Sequence, residues 1–330
     1  MTQSPAASGQ VALDPAQTRQ CLAGSLAAYA DYENAYTHQK IALPVPAGFD
    51  CLTRFTGWDG LIGSYGSEER YGLIYRSRNA PDTYLVAFRG TSSDMDAYED
   101  IFANHVSFQP YGGKPLSEPV HVANGFYAVY TQKGDNMTGS MRDQVFGFLA
   151  QVRPAPRKVI VTGHSLGAAV ANLFMLDMAA SLPGVETVST TFAAPRTGLE
   201  SFRKAYEQTF KLTDRTFRVA NYYDWVPSLP PHLLLGYDHV GQRFLVAFYL
   251  ESPYYFAPVS CHSLLNYQTV LDHALAHHPQ VWACTFKDAA QTYVFHKMYS
   301  VVPDVSAPDA EWAAGYHEVH AKYALAEPEG

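Results

Sequence analysis

The chain has 330 residues, 47% of them hydrophobic, and a formal net charge of −8. That length and apolar content suffice for one large α/β domain or two modest ones, and the acidic balance argues against nucleic acid or an anionic membrane surface as partner. No apolar run is long enough to span a bilayer and no internal repeat is present, so any contact with lipid has to be peripheral and hydrophobic.

Residues 1–14 are small and polar and read as a disordered leader. They lack the positive region and apolar core of a secretory signal, so the expectation is a cytoplasmic protein or one exported by a leaderless route. A helix is predicted from residue 15 to about 36, with Leu22, Leu26, Tyr29 and Tyr32 at helical spacing. Residues 41–67, rich in Pro, Gly and aromatics, read as a structured loop region. Strands follow at 71–76 and 83–88, with Asn79-Ala80-Pro81-Asp82 as the turn between them. An amphipathic segment at 92–106 and one helix at 124–151 come next. Further strands are expected at 158–162, 188–192, 215–220 and 243–249, with helices at 262–278 and a loosely held acidic tail over 303–330. Strands alternating with helices predict an α/β fold, a mostly parallel sheet covered on both faces, in a single domain over 15–302.

Gly163-His164-Ser165-Leu166-Gly167 is the most informative stretch. A G-x-S-x-G pentapeptide arises by chance in roughly one chain in ten of this length, so its context has to carry the reading. Lys158-Val159-Ile160-Val161-Thr162 before it is a buried-strand pattern, and Ala168 through Leu176 after it is a run of helix formers. Strand, sharp turn and helix around this motif describe a nucleophile elbow, which exposes a serine hydroxyl at the top of a sheet.

Such a serine needs a base to take its proton and an acid to orient the base, in the order Ser, Asp or Glu, His. Asp224 directly follows the strand predicted at 215–220, and the stiff segment Val226-Pro227-Ser228-Leu229-Pro230-Pro231 follows it. Of thirteen histidines, His262 comes after the next strand and is the expected base. His239 comes before that strand and is the second choice, and His164 is read as a packing neighbour. The oxyanion of acyl transfer needs N–H donors; Leu166 after the nucleophile offers one, and Thr91, after the apolar strand ending in Phe88-Arg89-Gly90, offers a second.

Phe88-Arg89-Gly90-Thr91, Val120-His121 with Gly125-Phe126, the elbow, Phe192-Ala193-Ala194-Pro195-Arg196-Thr197-Gly198 and Asn221 through Pro227 together resemble the successive signatures of the class 3 lipases, the fungal-type triacylglycerol lipases of the α/β-hydrolase fold. The resemblance spans roughly residues 70–275. It implies Ser165 as nucleophile, Asp224 as acid, His262 as base, and Thr91 with Leu166 as oxyanion hole. It also implies a lid after the oxyanion strand, where Met95, Tyr98, Ile101 and Phe102 share one helical face; a fixed surface helix with a core-facing apolar side is the alternative. The lid has Ala97-Tyr98 where family members often carry tryptophan, and the spacing between Val120-His121 and Gly125-Phe126 is expanded.

Tyr222, Tyr223 and Trp225 crowd the Asp224 loop and either line an acyl pocket or pack in the core. His273, His277 and His278 sit at helical spacing without a third ligand, so no metal and no cofactor are expected. Cys21, Cys51, Cys261 and Cys284 have no C-x-x-C spacing; one or two disulfides and four buried thiols are both consistent with them. The function expected is a serine carboxylic-ester hydrolase, an acylglycerol lipase meeting its substrate at a lipid–water interface. A phospholipase A1, an aryl or feruloyl esterase on the same scaffold, and a non-catalytic lipid-binding protein are the alternatives.

Overall fold

The computed structural model describes residues 13–37, 40–59, 66–91, 104–113, 115–221, 224–251, 261–274, 280–284 and 297–302. By contact they form a larger unit, Ala16–Arg218 with Val226–Gln242, and a smaller one, Met1–Pro15, Val219–Trp225 and Arg243–Gly330. In chain order the larger unit holds α1 (Pro15–Tyr36), β1 (Phe49–Asp59), β2 (Ser67–Ser77), β3 (Thr83–Phe88), β4 (His105–Ser107), β5 (His121–Ala123), α2 (Asn124–Thr131) and α3 (Met141–Gln151). It continues with β6 (Lys158–His164), α4 (Leu166–Ser181), β7 (Glu186–Phe192), β8 (Gly198–Leu199) and α5 (Glu200–Lys204). Strand β9 (Thr216–Asn221) runs into the smaller unit at Val219, and α6 (His232–Leu235) and β10 (Tyr237–Asp238) belong to the larger. The smaller unit then holds β11 (Gln242–Glu251), α7 (Leu264–Ala274), β12 (Gln280–Cys284) and β13 (Lys297–Val302).

In the larger unit the main sheet runs β1-β2-β3-β6-β7. The first three strands are antiparallel hairpin partners, and β3, β6 and β7 are parallel, with Val86 beside Val161 and Val161 beside Ser189. β6 and β7 are buried on both faces apart from their first residues, as a parallel strand covered by helices must be. Helix α4 covers this region and is buried at every position from Leu166 to Met178, which is why it carries no polar face. A second, four-stranded sheet runs β10-β8-β5-β4. In the smaller unit β9, β11, β13 and β12 are neighbours in that order, with β11, β13 and β12 antiparallel. The α/β-hydrolase architecture expected from the sequence is therefore present.

Two expectations are corrected. The composition of 41–67 predicts a structured loop region, but β1 pairs antiparallel with β2 over its length, its alternation broken by register shifts at Cys51/Thr53 and Phe55/Thr56. The helix expected over 124–151 is two: α2 ends at Thr131, and α3 restarts with a capping box in which Ser140 accepts from the Asp143 amide and Asp143 accepts from the Ser140 amide. Buried Asp177 fixes the far half of α4. It accepts from the Tyr111 amide at 2.6 Å, the Tyr130 hydroxyl at 2.9 Å and the Ser181 hydroxyl at 2.9 Å, and burial raises its carboxyl above the ordinary range. Cys21 and Cys261 are buried, and Cys51 is exposed, which the alternative of four buried thiols did not expect.

Candidate active site

Strand β6 delivers the chain to Ser165 and α4 takes it away at Leu166, so one residue must turn it sharply. Ser165 does so at φ 59° and ψ −129°, a left-handed conformation that costs a non-glycine residue about 1–3 kcal/mol. Its surroundings hold it there: the Ser165 amide donates to the Phe192 carbonyl at 3.0 Å, and the Ser165 carbonyl accepts from the Ala168 amide at 2.9 Å. The flanking glycines are required by closeness. A Cβ on Gly163 would lie 2.3 Å from the Gly167 carbonyl oxygen, and one on Gly167 would lie 2.5 Å from the Arg89 carbonyl oxygen. Leu166 opens the helix, so its N–H is among the first four that lack an intrahelical acceptor.

The turn after β3 lies against this elbow. A Cβ on Gly90 would lie 2.8 Å from the His164 carbonyl oxygen and 3.0 Å from the Ser165 Cβ. Thr91 follows, half-buried, so the strand-end donor expected from the sequence sits one residue from this contact. Arg89, fully buried, anchors the turn. Its amide donates to the Tyr71 carbonyl at 2.8 Å, its Nε to the Arg70 carbonyl at 3.0 Å and its Nη2 to Glu69 at 2.8 Å. Its guanidinium also lies 4.0 Å from the centre of the Tyr32 ring and 4.6 Å from that of Tyr71. His164 is held at Nδ1 by the Tyr29 hydroxyl at 2.8 Å, consistent with a packing role.

In the smaller unit, Asp224 lies just past β9 and His262 just before α7, and their side chains meet. His262 Nδ1 is 2.8 Å from Asp224 Oδ2, with the Asp224 side chain fully buried and His262 14% exposed. A buried carboxylate on Nδ1 selects the tautomer in which Nε2 carries no proton and can act as the acceptor. The Tyr267 hydroxyl donates to the same Oδ2 at 3.1 Å and accepts from the Asn221 amide at 2.7 Å, while Asn221 Nδ2 donates to the Cys261 carbonyl at 3.0 Å. Burial and the nearby Asp224 charge push the Tyr267 hydroxyl well above its usual range, so it remains a donor. The second-choice base, His239, lies in the larger unit with Nε2 at 2.8 Å from the Pro227 carbonyl.

The structure thus brings Ser165, Leu166 and the Gly90–Thr91 turn together in the larger unit, and Asp224 with His262 in the smaller. Met95, Tyr98, Ile101 and Phe102 of the expected lid lie outside the described residues, as do Tyr222 and Tyr223; Trp225 is half-buried. His277 and His278 are also outside them, and among the described residues no group of three or more His, Cys, Asp or Glu could hold a metal. Sequence reasoning missed Tyr29, Arg89, Asn221 and Tyr267. Only Arg89 gave a signal, as a charge closing an apolar strand that has to find a partner when buried.

Residues 85–234 match the family model described as lipase (class 3), a match that ends before His262. A phospholipase A1-II 6 of Oryza sativa subsp. japonica is 28% identical over 88% of this chain and 74% of its own length. A secreted mono- and diacylglycerol lipase MDL3 of Malassezia globosa is 32% identical over 47% of this chain and 49% of its own. Among plant phospholipases A1 the chain spans between 38% and 74% of the relative's length. The crystal structure of a lipase from Rhizopus microsporus var. chinensis superposes with a TM-score of 0.53 at 25% identity, covering 72% of this chain and 76% of that one.

Proposed function

We propose, from the match of residues 85–234 to the lipase (class 3) family model, that the protein is a serine carboxylic-ester hydrolase of the lipase type, acting on acyl esters of glycerol through an acyl-enzyme. The observation that carries the reading is the backbone of Ser165, a strained residue held at a strand-to-helix turn, where a nucleophile elbow places its serine. In this reading His262 takes the Ser165 proton as Oγ attacks the ester carbonyl, and Asp224 holds the imidazole and stabilises its charge. The N–H groups of Leu166 and Thr91 receive the oxyanion. The alcohol departs with the proton from His262, and water, deprotonated by the same imidazole, releases the fatty acid.

The relatives named above share an acyl ester on glycerol and differ in what else the glycerol carries. A phospholipase A1 is the second reading, favoured by the long match to the rice protein. Fatty-acid release from emulsified triacylglycerol, from mono- and diacylglycerol and from phosphatidylcholine, with soluble short esters as reference, separates the two. Acylglycerols are expected to be the better substrates, and preferential release from the first acyl position of phosphatidylcholine would move the assignment to the second reading. Ser165→Ala is expected to lose roughly 10⁴-fold or more in kcat on every substrate. Retained turnover in that variant overturns the proposal. The lid expected at Met95, Tyr98, Ile101 and Phe102 predicts a sharp rise in rate above substrate solubility, and a smooth saturation curve would remove it.

A further inference from the structure

The Asp224 carboxylate is held by more than its histidine. Its Oδ2 receives His262 Nδ1 at 2.8 Å and the Tyr267 hydroxyl at 3.1 Å. The direction of the second bond is fixed by chemistry. The Asn221 amide, 2.7 Å from the same hydroxyl oxygen, can only donate, so the hydroxyl accepts there and its single proton points at Asp224. Asn221 acts twice, because its side-chain amide donates to the Cys261 carbonyl, the peptide immediately before His262. Asn221 and Asp224 are themselves closed into a turn by the Asp224 amide on the Asn221 carbonyl at 3.1 Å. Asn221, the last residue of β9, therefore ties together the acid, the chain entering the histidine and the tyrosine that spans them, with the Tyr267 side chain fully buried.

Resting on the proposed function, we infer that Tyr267 is a positioning residue of the hydrolase: its hydroxyl, clasped by the Asn221 amide, fixes the rotation of the Asp224 carboxylate and tempers its charge so that His262 is held in the tautomer and orientation the reaction needs. A carboxylate turns about a broad, two-fold torsion, and each donor on its oxygens narrows that rotation. A second donor on the same oxygen locks it. Asp224 and Cys261 act electrostatically on the Tyr267 hydroxyl, and His262 shares the Asp224 oxygen with it.

Tyr267→Phe keeps the ring and removes the hydroxyl. On a soluble short-chain ester kcat is expected to fall about 10- to 100-fold, the loss of one hydrogen bond to a charged group, with KM changed less than about twofold. The acid limb of the kcat/KM profile, which reports the free-enzyme base, should move to higher pH, because a carboxylate with one donor fewer attracts the imidazolium proton more strongly. In an Asp224→Asn background the same substitution should change kcat less than about twofold, since Tyr267 acts through the carboxylate. Wild-type kcat and an unmoved limb in Tyr267→Phe overturn the inference; so does an equal drop in the Asp224→Asn background, which would mean that the tyrosine only packs. If Tyr267→Phe does not fold, 3,5-difluorotyrosine at position 267 keeps the hydroxyl as a stronger donor. The limb should then move to lower pH, and an unmoved limb overturns the inference. The Nδ1 proton resonance of His262 in nitrogen-15 histidine-labelled protein reads the same contact without turnover. If wild type hydrolyses no ester, the hydrolase reading fails while a resonance that shifts in Tyr267→Phe still upholds the positioning; an unshifted resonance rejects it.

Discussion

Replacing Glu69 by Gln tests how the turn that carries Thr91 is held. The Arg89 side chain is fully buried and its Nη2 meets Glu69 at 2.8 Å, where the carboxylate is 16% exposed. The other terminal nitrogen, Nη1, has no hydrogen-bond partner among the described residues. Removing the carboxylate charge therefore strands a buried cation. Breaking one partner of a buried pair costs about 3–5 kcal/mol, and because Gln can still accept one hydrogen bond, about 3 kcal/mol is the better figure. The Arg70 carbonyl and the faces of Tyr32 and Tyr71 remain in both proteins and cancel from the difference. With unfolding entropy near 2 cal/mol/K per residue, 330 residues give about 0.7 kcal/mol per degree, so Tm should fall about 4 °C. Calorimetry reads the shift, and hydrolysis of a soluble ester reads the turn: if Thr91 is the oxyanion donor proposed above, kcat should fall more than KM rises, because the displaced donor is missed in the transition state. The double replacement Glu69→Leu with Arg89→Met removes both charges and should recover most of the lost stability. A Glu69→Gln protein within about 0.5 kcal/mol of wild type, or a double variant no more stable than Glu69→Gln, would refute the reasoning.

Two further perturbations follow from the same structure. Gly167→Ala puts a Cβ 2.5 Å from the Arg89 carbonyl oxygen and 2.6 Å from that of Phe88, both backbone atoms that cannot swing away. It should cost about 1–3 kcal/mol and, by shifting the elbow, about 100-fold in kcat. Gly147→Ala in α3 meets nothing within 4 Å and should stabilise by about 0.5–1 kcal/mol; thermal unfolding of the two variants should move in opposite directions, and a Gly167→Ala protein as stable as wild type contradicts the argument. Burial holds the hydroxyls of Tyr75, Tyr130, Tyr206 and Tyr267 above their ordinary value. Their folded pKa values exceed the unfolded value of about 10, so the stability they contribute is complete below that pH and is lost as pH rises through the folded values. Their phenolate absorbance should appear together with unfolding rather than with the exposed tyrosines, and Tyr206→Phe should remove one equivalent from that step; phenolates that titrate in the intact fold contradict this.

How much of this was legible in the sequence depended on whether the cause was local. The elbow could be read because its need is local: a strand, a helix and two positions where no side chain fits, Gly163 and Gly167. Asp224 and His262 could be singled out by their order along the chain, though the 2.8 Å contact between them could not. β1 escaped because Pro44, Pro46 and Gly48 precede it and its bulges spoil the alternation that marks a strand. The break between α2 and α3 did carry a local signal, Ser140 three residues before Asp143 with Gly134 and Gly139 upstream, and apolar periodicity masked it. Arg89 signalled that a buried charge needs a partner but not which one, and Tyr267 gave no signal. Their partners, Glu69 and Asp224, lie 20 and 43 residues away, and only the folded chain brings them together.

The most direct test of the account is covalent labelling of wild-type protein with a fluorophosphonate, followed by mass spectrometry of the peptides. A serine activated by a histidine base should be modified once, on the peptide carrying Gly163 through Gly167 and at Ser165, with ester hydrolysis lost in step. Asp224→Asn should slow the labelling by roughly 10⁴-fold, as for other serine triads. Labelling at another residue, or ester hydrolysis that persists while Ser165 stays unmodified, would contradict the assignment of Ser165 as the nucleophile.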